Sequence, residues 1–441
     1  MNVETPALPL FKRAVQLDPN FAMAYARMGT VYSNLGEAAM AAESGKKAYD
    51  LRERVTERER LYIDSHYYDF VLGDSEKAAQ VYEQWKQTYP RDQIPYINLS
   101  SIESNLGQYE KAVEGNQEAL RLEPDNVINY ANVANSYLEL SRLDEAKAML
   151  DEAQRRNLES QFLLQTFYLL AFLRNDPAEM ERVLSAAMGK PGTEDVILSA
   201  QSDTEAYHGR LSKARELTQR AVDSAVHNDA KETAAGWQIN AALREAEFGN
   251  LAQAKQQANA GLDLAKGEYE EALVALVLAR TGDAAKAQAM ADDLGKQFSS
   301  ATVLNGYWLP SIRAAIELSR NNSARAIEIL QVTTPYEIGS PPPFSTIGTL
   351  YPVYLRGQAY LAAKNGTAAA AEFQKFLDHP GTVANFPFAT LARLQLGRAY
   401  TMSGDAVKAK GAYQDFFAFW KDADPDIPVL VQARAEYAKL R

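Results

Sequence analysis

A small residue recurs every 34 positions through the first half of this chain: Gly73, Gly107, Ser141, Asn175 and Gly209. Ala78, Ala112, Ala146 and Ala214 keep the same spacing with Met180 in the gap, and Pro90 and Pro124 keep it too. A period of this length belongs to a stacked array. One unit is too short to bury its own apolar face, so its neighbour must cover it.

The segment from Tyr96 to Pro124 shows what one unit contains. Tyr96, Leu99, Ile102 and Leu106 recur at helical spacing, and Gly107 interrupts them. Tyr109, Ala112, Val113, Ala119 and Leu120 form a second apolar stripe, which Pro124 stops. The spacing therefore predicts two antiparallel helices joined by a very short turn. Ala112 and Ala119 let them approach closely, where larger side chains would hold them apart. The same grammar delimits eleven units: 22–53, 59–90, 96–124, 127–158, 161–190, 195–226, 235–265, 270–298, 307–333, 350–378 and 390–421.

Two segments, YARMGTVYSNLGEAAMAAESGKKAY from Tyr25 and LGRAYTMSGDAVKAKGAYQDF from Leu396, resemble the tetratricopeptide repeat. That resemblance implies an all-α fold, an α-α superhelix of about eleven helix pairs. Residues 61–72 and 164–173 lack the leucine–glycine pair of that repeat, which predicts slightly altered packing there. Residues 1–190 read as a regular array that begins with a half repeat. Ala7, Phe11, Ala14 and Pro19 fit a second helix whose first helix would lie ahead of Met1. Residues 191–441 read as a less regular array with connectors at 334–349 and 379–387 and a capping helix at 427–440. The run Pro341 to Pro343 favours extended backbone. Such a long connector either carries function or fills a gap between imperfect units.

The formal net charge of −11 disfavours nucleic acid, because phosphate binding needs a basic stripe. There is no cysteine, which excludes disulfides and thiolate chemistry. No apolar run is long enough to span a bilayer. No basic, then apolar leader is visible at 1–10, which suits the cytoplasm and leaves the periplasm open. His66, His208, His227 and His379 are scattered, with no two at metal-ligand spacing. No catalytic, metal or cofactor signature emerges, so the expectation is a non-enzymatic protein.

Function follows from the resemblance. Arrays of this family line a concave groove with their first helices, and asparagines there hydrogen-bond an extended peptide in some members. Asn98, Asn132 and Asn240 occupy similar places, with Asn135 one turn from Asn132. An amide can donate and accept at once, which suits a peptide backbone; the alternative is a set of tolerated polar positions on an exposed face. Tyr62 and Tyr67 belong to an aromatic cluster that is either an interaction anchor or interhelical packing. The leading reading is a protein- or peptide-binding scaffold. The alternative is a module for small-molecule binding or homo-oligomerisation. ERERLYIDSHYYDFVLGD from Glu57 and FWKDADPDIPVL from Phe419 are also similar to the repeat region C-terminal to the kinase domain in some bacterial serine/threonine kinases. This implies a sensing or docking arm, although no kinase motif is present.

Overall fold

The computed structural model describes residues 7–342 and 349–440. A lone helix α1 (Leu8–Leu17) precedes eleven antiparallel pairs. The first five are α2 (Ala22–Asn34) with α3 (Ala38–Asp50), α4 (Glu57–His66) with α5 (Ser75–Thr88), α6 (Ile94–Asn105) with α7 (Tyr109–Leu122), α8 (Val127–Glu139) with α9 (Leu143–Arg155), and α10 (Gln161–Leu173) with α11 (Pro177–Ala187). Next come α12 (Glu194–Tyr207) with α13 (Leu211–His227), α14 (Lys231–Phe248) with α15 (Leu251–Leu264), α16 (Glu268–Arg280) with α17 (Ala284–Gln297), and α18 (Leu309–Ser319) with α19 (Ser323–Ile329). Then follow α20 (Tyr351–Ala362) with α21 (Gly366–Asp378), a single turn α22 (Pro380–Val383), α23 (Phe388–Met402) with α24 (Ala406–Phe419), and the last helix α25 (Pro428–Ala438). The pairs fall where the sequence spacing puts them.

The repeated small residue has one structural job. Each pair turns on a single residue with φ between 54° and 95°: Gly36, Gly73, Gly107, Ser141, Asn175, Gly209, Gly249, Gly282, Asn321, Lys364 and Gly404. This left-handed residue lets the following amide reach back to carbonyls that the helix end leaves unpaired. At Gly107, for example, the next amide, Gln108 N, donates to Glu103 O at 2.7 Å. Ala78, Ala112, Ala146 and Ala214 are each 0% exposed against the partner helix, as the close approach requires.

One expected irregularity is present. α4 continues past His66 as a π-helical turn, Tyr67–Val71, in a unit that lacks the leucine–glycine pair. The His66 ring stacks on Tyr62 at 4.0 Å, and its Nδ1 lies 2.8 Å from the Tyr62 carbonyl. Burial lowers its pKa to about 3, so it packs as a neutral ring. α10, which also lacks the pair, is an unbroken helix.

The superhelix coils tightly enough that its second half docks on its first. Thr233 Oγ1 donates to Leu35 O at 3.1 Å, and Ala39 N donates to the Glu232 carboxylate at 3.1 and 3.2 Å. Thr302 N donates to Gly73 O at 2.8 Å, and Ser75 N donates back to Thr302 Oγ1 at 3.1 Å. Ser340 N donates to Ser104 O at 3.1 Å, and Tyr109 Oη donates to Ile338 O at 2.5 Å. Gly381 N donates to Ser141 Oγ at 3.1 Å, and Asp424 N to Gly209 O at 3.0 Å. Each bond joins the turn of an early pair, or the helix start beside it, to a link between later helices or to the start of one. The connectors at 334–349 and 379–387 are two of these links, and their described residues fill the seam; residues 343–348 lie outside the described range, Pro343 among them. α25 carries the seam further, its Pro428 lying against Gly249.

The seam explains why glycine rather than asparagine holds several turns. A Cβ on Gly209 would sit 2.5 Å from Ala423 Cβ, whereas a Cβ on Gly282 would meet nothing within 4 Å. Gly209→Ala therefore combines the left-handed cost of about 1–2 kcal/mol with overpacking of about 1–3 kcal/mol, while Gly282→Ala incurs only the first. Denaturant or thermal unfolding of the two variants should show the larger loss for Gly209→Ala. Equal losses would mean that the seam is not closed in solution.

Acidic groups crowd one end of the seam. Glu37 in the α2–α3 turn, Glu232 on α14, and Glu268 and Glu270 on α16 have no lysine or arginine within ion-pair distance among the described residues. Burial, and then repulsion from Glu232 and Asp229, raises Glu37 to about 7. Burial, and then Glu232, Glu37 and Glu271, does the same for Glu270. Glu268 rises to about 7 through burial and Glu270, and Glu232 rises through burial. The folded chain thus holds protons that the unfolded chain releases above its ordinary carboxylate pKa. The stability these groups contribute is full below about pH 4.5 and declines as pH rises through about 7. Hydrogen exchange across 35–39 and 229–234, corrected for intrinsic rates, should show protection falling over that window. The Glu37→Gln, Glu270→Gln double variant should flatten the profile.

Candidate functional site: the open groove face and a gap in the seam

The two halves of the array differ on their inner faces. In the second half the first helices close on one another. Side chains of α14 from Glu232 to Phe248 are buried apart from half-buried Gln238, as are those of α16 from Ala272 to Ala279. Polar groups there pair across repeats. Arg244 donates to Asp203 at 3.0 Å and to Ser202 and Thr218 at 3.1 Å. Tyr351 Oη donates to Glu247 at 2.7 Å, and the same carboxylate pairs with Arg280. This interior is a filled core.

The first half keeps an open face. Ile94, Ile97 and Asn98 on α6, Ile128, Asn132 and Asn135 on α8, and Gln161, Phe162 and Leu164 on α10 are all half-buried, and Ser101 is exposed. Asn98 and Asn132 make no side-chain hydrogen bond among the described residues. Asn135 Nδ2 donates to Glu139 at 3.2 Å. Glu139 also accepts from Ser104 and Ser340, each at 3.0 Å, and burial raises its pKa to about 7. Asn135 therefore belongs to the seam as much as to the groove.

Three of the residues expected at a partner surface sit elsewhere. Asn240 is 4% exposed and donates to Asp203 at 3.0 and 3.2 Å, inside the closed half. Tyr62 is buried, its hydroxyl against Thr30 Oγ1, and Arg27 lies 4.4 Å over its ring. Tyr67 stacks on Tyr49 at 3.7 Å with 12° between the planes, which joins α3 to the π-helical turn. The aromatic cluster is interhelical packing. In sequence Asn240 looks like Asn98, because it takes the equivalent place on a first helix; only the tighter coil of the second half separates them.

Two hollows were not foreseen. One of about 580 Å³ lies on the edge of the array away from the seam, between α8, α9, α10 and α11, with Ile128, Leu158, Phe162 and Phe167 in its wall and Arg182 and Lys190 beside them. The other, of about 660 Å³, interrupts the seam beside Asn175 and is walled by Phe172, Tyr207, Phe376 and Phe419, with Arg393 among them. No group of three or more His, Asp or Glu side chains suited to a metal ion occurs among the described residues. Among the described residues no helix is long and apolar enough to cross a membrane.

Tetratricopeptide repeat models match residues 10–43 and 95–126, the second window being the α6–α7 pair. Superkiller protein 3 of Schizosaccharomyces pombe is 23% identical over 221 residues, which is 48% of this chain and 16% of that protein. The chain thus spans about a sixth of that relative's length. Among solved structures, a chain of the APC/C Cut9–Hcn1 hetero-tetramer aligns with TM-score 0.48 and 14% identity over 99% of this chain and 80% of that one. Yeast Tom70 aligns with TM-score 0.35 and 13% identity over 87% and 95%. The chain is an all-helical array that is similar to tetratricopeptide repeat proteins in its two matched windows, and its other pairs repeat the same hairpin.

Proposed function

We propose that this chain is a non-enzymatic scaffold that holds a protein or peptide against the first helices of its open half. The observation that carries this reading is the pair Asn98 and Asn132. They occupy equivalent, half-buried places on α6 and α8 and make no side-chain hydrogen bond among the described residues, whereas Asn240 is tied up in the core. An unpaired amide on a half-apolar face can both donate to and accept from an extended backbone. Ile94, Ile97 and Ile128 beside them supply apolar contact. The two matched repeat windows support a protein-interaction role. The segments from Glu57 and Phe419 support a place in a larger bacterial signalling protein, as its sensing or docking arm in the cytoplasm. The hollow beside Asn175 favours a second reading, a small-molecule site, developed below.

Affinity capture from a bacterial lysate with the full chain as bait tests the groove. The Asn98→Ala, Asn132→Ala double variant loses two hydrogen bonds of about 1 kcal/mol each, so capture of the partner should fall at least about tenfold. Its melting temperature should stay close to that of the unmodified chain. Undiminished capture would overturn the proposal. Ala112→Phe should do the reverse, because Ala112 is 0% exposed: it should lose about 1–3 kcal/mol of stability by overpacking while the folded fraction still binds.

A further inference from the structure

The seam has a break. Among the first six turns, those at Gly36, Gly73, Gly107, Ser141 and Gly209 are joined by hydrogen bonds to the second half at or beside the turn. Asn175, the one remaining member of the 34-residue series, makes no such bond among the described residues; its amide donates only to Phe172 O of its own helix. Beside it lies the cavity of about 660 Å³. Its walls come from both halves: α10, α11 and α12 on one side, α21 through α24 on the other.

The lining is largely apolar and aromatic; its charged groups are Arg393, Arg210, Glu205 and Glu181, of which only Arg210 and Glu205 pair with each other among the described residues. The Arg393 guanidinium lies 4.3 Å over the Phe419 ring, and its Nη1 donates to Ala389 O at 2.9 Å. Among the described residues no carboxylate comes within ion-pair distance of it. The other arginine of the cavity, Arg210, is neutralised by Glu205. Burial, and then Arg210, lowers the pKa of His208, so its ring stays uncharged near neutral pH; its Nδ1 lies 3.4 Å from Phe419 O. Glu181 is exposed on the rim. Arg393 is thus held by a ring and one carbonyl, and most of its five N–H donors make no hydrogen bond among the described residues. An anion that reached it would make charge-assisted hydrogen bonds beside apolar walls.

We infer that this gap binds a small organic acid with an aromatic or branched apolar body, its carboxylate on Arg393 and its body between Phe172, Tyr207 and Phe419. The volume lies within the roughly 300–1,000 Å³ range of small-molecule sites. A ligand there closes the one turn of the first six that makes no bond across the seam among the described residues. Because its walls belong to both halves, it binds only the docked superhelix and stabilises it by mass action. The site is separate from the groove at Asn98 and Asn132, so either can fail without the other.

The test compares two probes of the same body, phenylpropanoate and its neutral alcohol phenylpropanol, titrated into the full chain by calorimetry and by thermal shift. The acid should bind at least about tenfold tighter than the alcohol, a difference of about 1.4 kcal/mol. Arg393→Gln should abolish that preference while leaving weak binding of the alcohol intact. Phe419→Leu should weaken both probes alike. Hydrogen exchange with the acid bound should show added protection at 172–176 and 389–393. No binding of the acid at about millimolar concentration, equal affinity for acid and alcohol, or the same preference in Arg393→Gln would each overturn the inference. Were Arg393→Gln to fold poorly, the acid-to-alcohol ratio in the unmodified chain and the protection map would still decide.

Discussion

The structure depends on the contact between successive turns of its own superhelix. A helix pair leaves unpaired carbonyls at the end of its first helix and unpaired amides at the start of its second. In an open array water satisfies these groups. Here the next coil satisfies many of them, and at two places it supplies a cap that the turn lacks. α3 and α13 have Glu37 and Arg210 at their cap positions, and neither side chain caps its helix. Glu232 accepts from Ala39 N, and Asp424 accepts from Ser212 N at 2.6 Å, each from the other half of the chain. A carboxylate at a helix N-terminus is favourable on both hydrogen-bond and dipole grounds.

This contact also sets which inner faces of the array are filled and which stay half open. Drawing the second half tight buries charged groups such as Arg244, Asp203 and Glu247, which are costly to bury unless paired. They are paired, between neighbouring first helices, so the inner face there is spent on cohesion. Among the described residues the pairs from α6 to α11 carry no comparable ladder, and their inner face stays half open. The proposed scaffold is therefore one-sided, with an open groove in the early repeats and a filled core in the late ones. The cavity beside Asn175 lies on the line between those two regimes.

The candidate site was only partly legible in the sequence. Asn98 and Asn132 share a half-buried face because a periodic array puts equivalent residues on equivalent faces. Asn240 obeyed the same rule and was misread, because periodicity says which face of a helix a residue takes and not whether that face meets solvent. Tyr62 and Tyr67 were ambiguous for a related reason, since an aromatic stripe at helical spacing serves packing and recognition equally. Arg393 and Phe419 carried no signal. They meet the α10–α12 wall only because the coil brings residues more than 180 positions apart to one place.

The sequence by itself determined the hairpin, its number and its period. Those depend on local terms: apolar stripes at helical spacing, small residues at the crossing, and a left-handed residue at each turn. All act within about one unit, so all are written within one unit. The tertiary structure alone decided the pitch, and with it the seam, the closed and open faces and the gap at Asn175. Pitch is the sum of small inter-repeat rotations, and no pattern local to one unit encodes that sum. The 34-residue series marks both levels. Each of its members turns a hairpin, and all but one also dock the coil above.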